Sequence, residues 1–324
     1  MKKSTLITAA CLFASHFATA GVIRHDVSDN FYRTIGVLPQ FDSVGAILFD
    51  TPDGGYICSG TVVARNWVLT AAHCVDEATN MTFYSPVFNE DRSAYSHQAY
   101  SATSWVWHEN WTGDLLAGWD IGLMYFEDGI DAPIANLYTG SNEAGAVTTH
   151  VGYGATGTGL TGATQASGTR RGGQNVVDGA YSTEGTGGQL LWSDFDHPNP
   201  NATDSYGDVY NDWVNFWYSY FGYGFSSENA ALPFEYGIGG GDSGGGAFIY
   251  ENGEWLLAGV HSLGSNINGT NVLSDYGDLF ASTRVSALQD WIYSYIRPAS
   301  VPAPAGILLV LGGLLLLARR RKSC

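Results

Sequence analysis

The chain has 324 residues, with 31 acidic against 14 basic side chains and a formal net charge of −17. Six of the basic residues stand in the two ends and none of the acids does, so the part between them is more acidic still. That balance excludes nucleic acid and anionic membrane surfaces as partners held by charge, because both would repel it.

In chain order, Lys2-Lys3, an apolar run from Leu6 to Phe17 and then Ala18-Thr19-Ala20 read as a secretory signal peptide over residues 1–20, cut before Gly21. The body, residues 21–297, has an all-β pattern. Val44–Phe49, Gly60–Val63 and Trp67–Thr70 are short β-rich runs bounded by turn residues. The last of them runs into Ala71-Ala72-His73-Cys74. A further strand, Ile121–Phe126, follows Trp119-Asp120.

Residues 155–169 are rich in Gly and Thr, and an acidic stretch then carries Asp194, Asp196, Asp204, Asp208 and Asp212. Oxygen ligands clustered in this way could bind a structural calcium ion, although the spacing is not that of an EF-hand; a solvated acidic loop is the other reading. Trp213, Phe216, Trp217 and Tyr220 recur at helical spacing, which predicts a helix face packed on the barrel. Gly239-Gly240-Gly241-Asp242-Ser243-Gly244-Gly245-Gly246 comes next, then strands Ala247–Tyr250 and Trp255–Val260. In segment 285–296, Leu288, Trp291, Ile292 and Tyr295 predict a C-terminal helix. Residues 298–304 form a Pro-rich linker. Residues 305–324 form a tail, with a 14-residue apolar run ending in Arg319-Arg320-Arg321-Lys322. That run is short of the ~20 residues that a bilayer span usually takes, and its basic end would stay cytoplasmic.

The chemistry lies in three separated words. A serine becomes nucleophilic at neutral pH only beside a base, and His73 is a candidate base. Glycines around Ser243 allow a sharp turn and bring backbone N–H groups close to a reacting carbonyl. Thr70-Ala71-Ala72-His73-Cys74, Trp119-Asp120-Ile121-Gly122-Leu123 and Gly241-Asp242-Ser243-Gly244-Gly245, in that order, resemble the signatures of chymotrypsin/trypsin-like serine proteases. The resemblance covers about residues 44–296. It implies two packed six-stranded antiparallel β-barrels with a C-terminal helix and the active site in the cleft. It also implies a serine endopeptidase with His73, Asp120 and Ser243 catalytic, and Gly241 and Ser243 supplying the oxyanion hole.

Further expectations follow from the same resemblance. Cys58 and Cys74 would form a disulfide beside the histidine; the family's other disulfides have no cysteines here. Gly259 to Ser265 is similar to the substrate-binding strand, so Gly237, Ile238, His261, Ser262 and Gly264 would line the specificity pocket. Gly237 at the floor argues for apolar or mixed specificity. A histidine at 261 resembles the glutamate-specific branch, and Asp278 could instead supply a negative floor; a packed strand residue is the other reading of His261. Asp242 would pair with a new N-terminal amine, and Val22 and Ile23 lie close to the signal cleavage. Gly246 stands where the family has proline. Protein or peptide substrates are implied, and no cofactor or metal ligand is required. A non-catalytic surface-binding or adhesion protein on the same fold is the alternative. The tail is similar to bacterial PEP-CTERM sorting tails, with Ala303 in place of their Glu; this implies an exosortase-like processing partner, membrane contact before processing, and a cell-envelope or secreted location. A plain short membrane anchor is the other reading.

Overall fold

The computed structural model describes residues 21–184, 189–204, 207–227, 230–268, 270 and 272–297. Residues 1–20, read above as a signal peptide, and residues 298–324, read as a Pro-rich linker and tail, lie outside the described residues. Among the described residues, no helix is long and apolar enough to cross a membrane.

Two antiparallel sheets carry the body, in the all-β double-barrel class. The first runs, edge to edge, through Tyr95–Ser101, Thr79–Phe88, Val44–Thr51, Gly54–Ala64, Trp67–Thr70, Gly122–Tyr125 and Ser104–Trp107. Its apolar face buries Ile47, Val62, Val68, Phe83, Met124 and Phe126 with both cysteines. The second runs through Arg171–Val176, Val147–Gly152, Gly246–Glu251, Glu254–Ser265, Leu279–Arg284, Leu190–Asp194 and Gly179–Ala180, with Asn136–Leu137 added in parallel to Glu254–Ser265. The pairing therefore counts seven and eight strands where the resemblance suggests six each, because short edge segments such as Gly179–Ala180 join the ladders. The chain crosses between the sheets after Phe126. Ala135 N–H donates to Val62 O of the first sheet at 2.8 Å, and Tyr138 N–H to Leu257 O of the second at 2.9 Å.

The predicted strands map onto these ladders: Trp67–Thr70 has the predicted bounds, and the strand predicted over Ile121–Phe126 is one residue shorter at each end, Gly122–Tyr125. The hairpin joining Gly246–Glu251 to Glu254–Ser265 turns on Asn252-Gly253, both with positive φ (52° and 89°). Asn-Gly is the sequence this tight turn favours, since both central residues must be left-handed. The C-terminal helix spans Gln289–Ile296, starting four residues after Val285.

The long region between residues 155 and 242 departs from expectation in two respects, the facing of its helix and the burial of its acidic stretch. A helix does form, Tyr210–Phe221, but Phe216 and Tyr220 point to solvent at 53% and 69% exposure. The packed stripe is Val214 and Tyr218, both fully buried against Leu190, Trp192 and Leu263. The apolar arc of this helix is wide, running from Phe216 round to Tyr218 with Asp212, Asn215 and Ser219 opposite, so spacing alone admits two stripes. Burial selects Val214 and Tyr218, whose Oη donates to Asp178 Oδ2 at 2.6 Å, while Trp217 of the expected stripe is half-buried and donates Nε1–H to Ile267 O at 2.8 Å. The acidic stretch is dispersed and is not the solvated loop expected, since Asp194, Asp196 and Asp204 are buried. Asp194 Oδ1 accepts from Ser227 Oγ and Asp204 Oδ1 from the Asp208 N–H, and among the described residues these carboxylates form no common cluster.

A short third sheet, not foreseen from sequence, places Gly21–Ile23 parallel to Thr156–Thr158 and antiparallel to Tyr236–Gly237. It ties the start of the body to the segment leading into the glycine run.

Candidate active site

His73 lies in a single helical turn, Ala72–Val75, directly after the Trp67–Thr70 strand. The Cys58–Cys74 disulfide anchors that turn to the neighbouring Gly54–Ala64 strand. Asp120 precedes the Gly122–Tyr125 strand, which pairs with Trp67–Thr70, and sheet register thus brings the two residues together. Asp120 Oδ2 accepts from His73 Nδ1 at 2.8 Å and from Ser262 Oγ at 2.6 Å, and Oδ1 accepts from the His73 N–H at 2.9 Å. Its own carbonyl accepts from Thr283 Oγ1 at 2.8 Å. The carboxylate is fully buried. A buried charge is tolerated when hydrogen bonds replace its water, and three do so here. The arrangement holds the proton on Nδ1 and leaves His73 Nε2 as an acceptor facing outward.

Ser243 sits in the loop 239–245, pinned from several sides. Ser59 N–H donates to Ser243 O at 2.8 Å, Ser59 Oγ to Gly241 O at 3.0 Å, and the Gly245 N–H to Asp242 O at 2.8 Å. Gly241 and Gly244 have φ of +100° and +81°, a region that side chains rarely adopt. A Cβ on Gly244 would also collide with Thr70 Oγ1 and Ser59 O. This turn leaves the N–H groups of Gly241 and Ser243 with no protein acceptor among the described residues. Ser243, His73 and Gly241 line one open cavity of about 420 Å³, together with Phe49, Tyr56 and Ile57 and the acidic Asp53, Asp76 and Glu77. No hydrogen bond joins Ser243 Oγ to His73 in this state. Beyond Gly241 the cavity continues into a groove of about 1010 Å³ over Leu48, Tyr56, Ile57 and Tyr84.

The expected specificity residues are not among those lining the Ser243 cavity. Gly237 pairs with Val22 in the third sheet, and Ile238 packs with Ile23, Tyr236 and Phe280. Gly264 pairs with Phe280, and Ser262 spends its hydroxyl on Asp120. His261 is fully buried, with one ring nitrogen on His150 and the other near Asp242 O. Asp242 directs its carboxylate to the Gly154 and Gly239 N–H groups, each at 2.8 Å, and burial lifts its pKa to about 6. Sequence reasoning missed the contact of Ser262 with Asp120, since 142 residues separate them and no pattern links them.

Asp278 is likewise committed. Its oxygens accept from the N–H groups of Ile267, Ser274 and Asp275. Burial, then the charge of Asp275, pushes its carboxyl up to about 8. A carboxyl raised in the fold stabilises fully below its unfolded value, near 4, and that stability is lost as pH rises through about 8. Urea unfolding at pH 6.5 and 8.5 is therefore expected to show the native protein weakening with pH, and Asp278→Asn weakening less. Equal slopes would refute the raised carboxyl.

Comparison with known proteins agrees with this geometry. The family model described as Trypsin matches residues 40–185. Chymotrypsin-like elastase family member 1 of Canis lupus familiaris is 36% identical over 70 residues, which is 21% of this chain and 27% of that protein. The Homo sapiens protein of the same description gives the same figures. Thrombin-like enzyme CPI-enzyme 2 of Gloydius ussuriensis is 47% identical over 45 residues, 14% of this chain and 16% of that protein. The chain thus matches about a quarter of the length of the elastase relatives. Fold and matches together define a similarity to trypsin-like serine proteases.

Proposed function

We propose that this chain is an exported serine endopeptidase that cleaves peptide bonds through an acyl-enzyme on Ser243. The carrying observation is the buried Asp120 bonded to His73 Nδ1, with Ser243 in the same cavity as His73. In this reading His73 Nε2 takes the Ser243 proton as Oγ attacks the substrate carbonyl. His73 then returns the proton to the leaving amine, and a water repeats the sequence on the acyl-enzyme. Asp120 keeps the imidazole in its reactive tautomer and balances the imidazolium charge. The unspent N–H groups of Gly241 and Ser243 receive the negative oxygen of the tetrahedral intermediate. The open Ser243–His73 pair fits this role, because catalytic hydrogen bonds often tighten only when substrate is bound. The groove beyond Gly241 supports a polypeptide substrate over a small ester, since it offers apolar walls well past the reacting bond.

Export rests on residues 1–20, and a sorting role for the tail rests on residues 298–324 and their likeness to PEP-CTERM tails. The test is labelling of the folded protein with a fluorophosphonate reagent, followed by peptide mapping. Stoichiometric modification of Ser243 alone is expected. A folded protein that takes no label would sink the reading and favour a binding protein on the same fold.

A further inference from the structure

Beneath the nucleophile loop lies a buried chain of hydrogen bonds that peptide hydrolysis does not use. Asn175 O accepts from Thr148 Oγ1 at 3.0 Å, and Thr148 Oγ1 meets His150 Nε2 at 2.8 Å. His150 Nδ1 meets His261 Nε2 at 3.0 Å, and His261 Nδ1 meets Asp242 O at 3.2 Å. Thr148, His150 and His261 are all buried.

Both ends of this chain are carbonyls, which can only accept. Each of the four links needs a proton. The threonine hydroxyl brings one and each neutral imidazole one, so one link is left with two lone pairs face to face. A single added proton fills every link. A second would be surplus and would place two like charges 3.0 Å apart. The longest link is the one to Asp242 O, so the gap of the neutral chain falls at the nucleophile loop. That loop also rests on the His261 backbone. The Gly244 N–H donates to His261 O at 2.8 Å, and the His261 N–H to Gly245 O at 2.9 Å. A Cβ at Gly245 would lie 2.9 Å from His261 Nδ1.

We propose that His150 and His261 are a positioning pair for the nucleophile loop: together they take up one proton from solvent, and with it His261 Nδ1–H fastens the carbonyl of Asp242, the residue before Ser243. The effect on Ser243 rests on the serine-protease reading; the joint proton uptake does not. Burial lowers both imidazoles, His261 to about 4, so the pair is neutral at pH 7 and fills on acidification. The titratable groups facing it are Tyr236, stacked on His150, and the Asp242 carboxyl; Arg171, paired with Asp29, acts on both of these. Phe280 against His150, Gly173 and Ala247 opposite it, and Ser282 opposite His261 do not titrate.

The experiment is long-range ¹H–¹⁵N correlation NMR of the full chain with ¹⁵N-labelled histidine, from pH 7.5 to 3.5, with His150→Gln to assign the rings. The two rings are expected to shift together at one midpoint, with a total uptake of one proton. The amide of His150→Gln carries two donors, to Thr148 and to His261, and so fills the chain without an added charge. In that variant His261 should stay neutral and protonated on Nδ1 across the range. Two independent full titrations in the native protein, or none down to pH 3.5, would overturn the proposal without reference to any variant. The rate of fluorophosphonate labelling at Ser243 gives the second readout. Native protein relative to His150→Gln should change roughly 3–10-fold across the NMR midpoint, the worth of about one net hydrogen bond. A ratio constant with pH removes the positioning role. Absence of label at every pH instead overturns the serine reading and its dependent role, while the joint titration still stands or falls on the NMR.

Discussion

Asp120→Asn is expected to lower kcat for a peptide substrate by about 10⁴-fold while KM and the fold change little. The reason is a matter of proton placement. Asp120 Oδ2 accepts two protons, from His73 Nδ1 and Ser262 Oγ, and Oδ1 accepts the His73 N–H. An amide has only one acceptor oxygen, so its NH₂ must face a group that was donating. The Ser262 hydroxyl and the imidazole can both reverse, but the backbone N–H cannot. The oxygen therefore stays with the backbone, and the NH₂ faces the imidazole. His73 then carries its proton on Nε2, where it can no longer accept from Ser243. Removing Ser262 alone is a milder change. Ser262→Ala deletes one hydrogen bond to a charged group and leaves the tautomer intact, so a loss of roughly 10–100-fold is expected. Steady-state kinetics on both variants, with circular dichroism to check the fold, measure the ordering. A kcat for Asp120→Asn within tenfold of the native value would show that Asp120 does not set the tautomer.

The residues in this site divide by how their positions are encoded. His73, Asp120 and Ser243 were legible because each sits in a short local word whose backbone demands are specific: a turn after a strand, a strand start, a glycine-rich loop. The cysteine pair was legible for the same reason, through the family word around His73. Polar contacts between distant segments were not. Ser262 bonds Asp120 across 142 residues and His261 bonds His150 across 111, and such pairs leave no periodic trace. The reading of His261 as a pocket residue came from its place on the strand, whereas burial and both ring contacts turn it toward the loop beneath Ser243. The strand Gly21–Ile23 is too short to register as a β run, and its partners, Thr156–Thr158 and Tyr236–Gly237, are equally brief. The Tyr210–Phe221 helix was legible as a helix but not in its orientation, because its apolar arc is wide enough to hold two different stripes. Helix existence follows from backbone preference, and facing follows from what the neighbours can bury.

Cys58→Ala/Cys74→Ala is expected to destabilise the protein by about 3 kcal/mol, the chain-entropy value for a loop near 15 residues. For a domain of this size that corresponds to a fall in Tm of roughly 5 °C. The bond closes a 16-residue separation that contains the whole Trp67–Thr70 strand and ends within the turn bearing His73. Two features make the site sensitive to its loss beyond the entropy. Cys58 and Cys74 are both buried in the first core, packed with Ile47, Val68 and Val75, so the alanines leave a void there. Cys74 Sγ also lies 3.8 Å from Ser243 O, so the same bond touches the turns carrying both His73 and Ser243. Activity should therefore fall before the fold is lost: on warming, the variant should lose labelling at Ser243 several degrees below its calorimetric midpoint, whereas in the native protein the two should coincide. Calorimetry and labelling on native, reduced and doubly substituted protein separate the contributions. Reduction should reproduce most of the Tm change with the sulfurs still in place. If reduced and oxidised protein melt together, the cross-link is not what holds the histidine turn, and packing of the sulfur atoms must account for its rigidity.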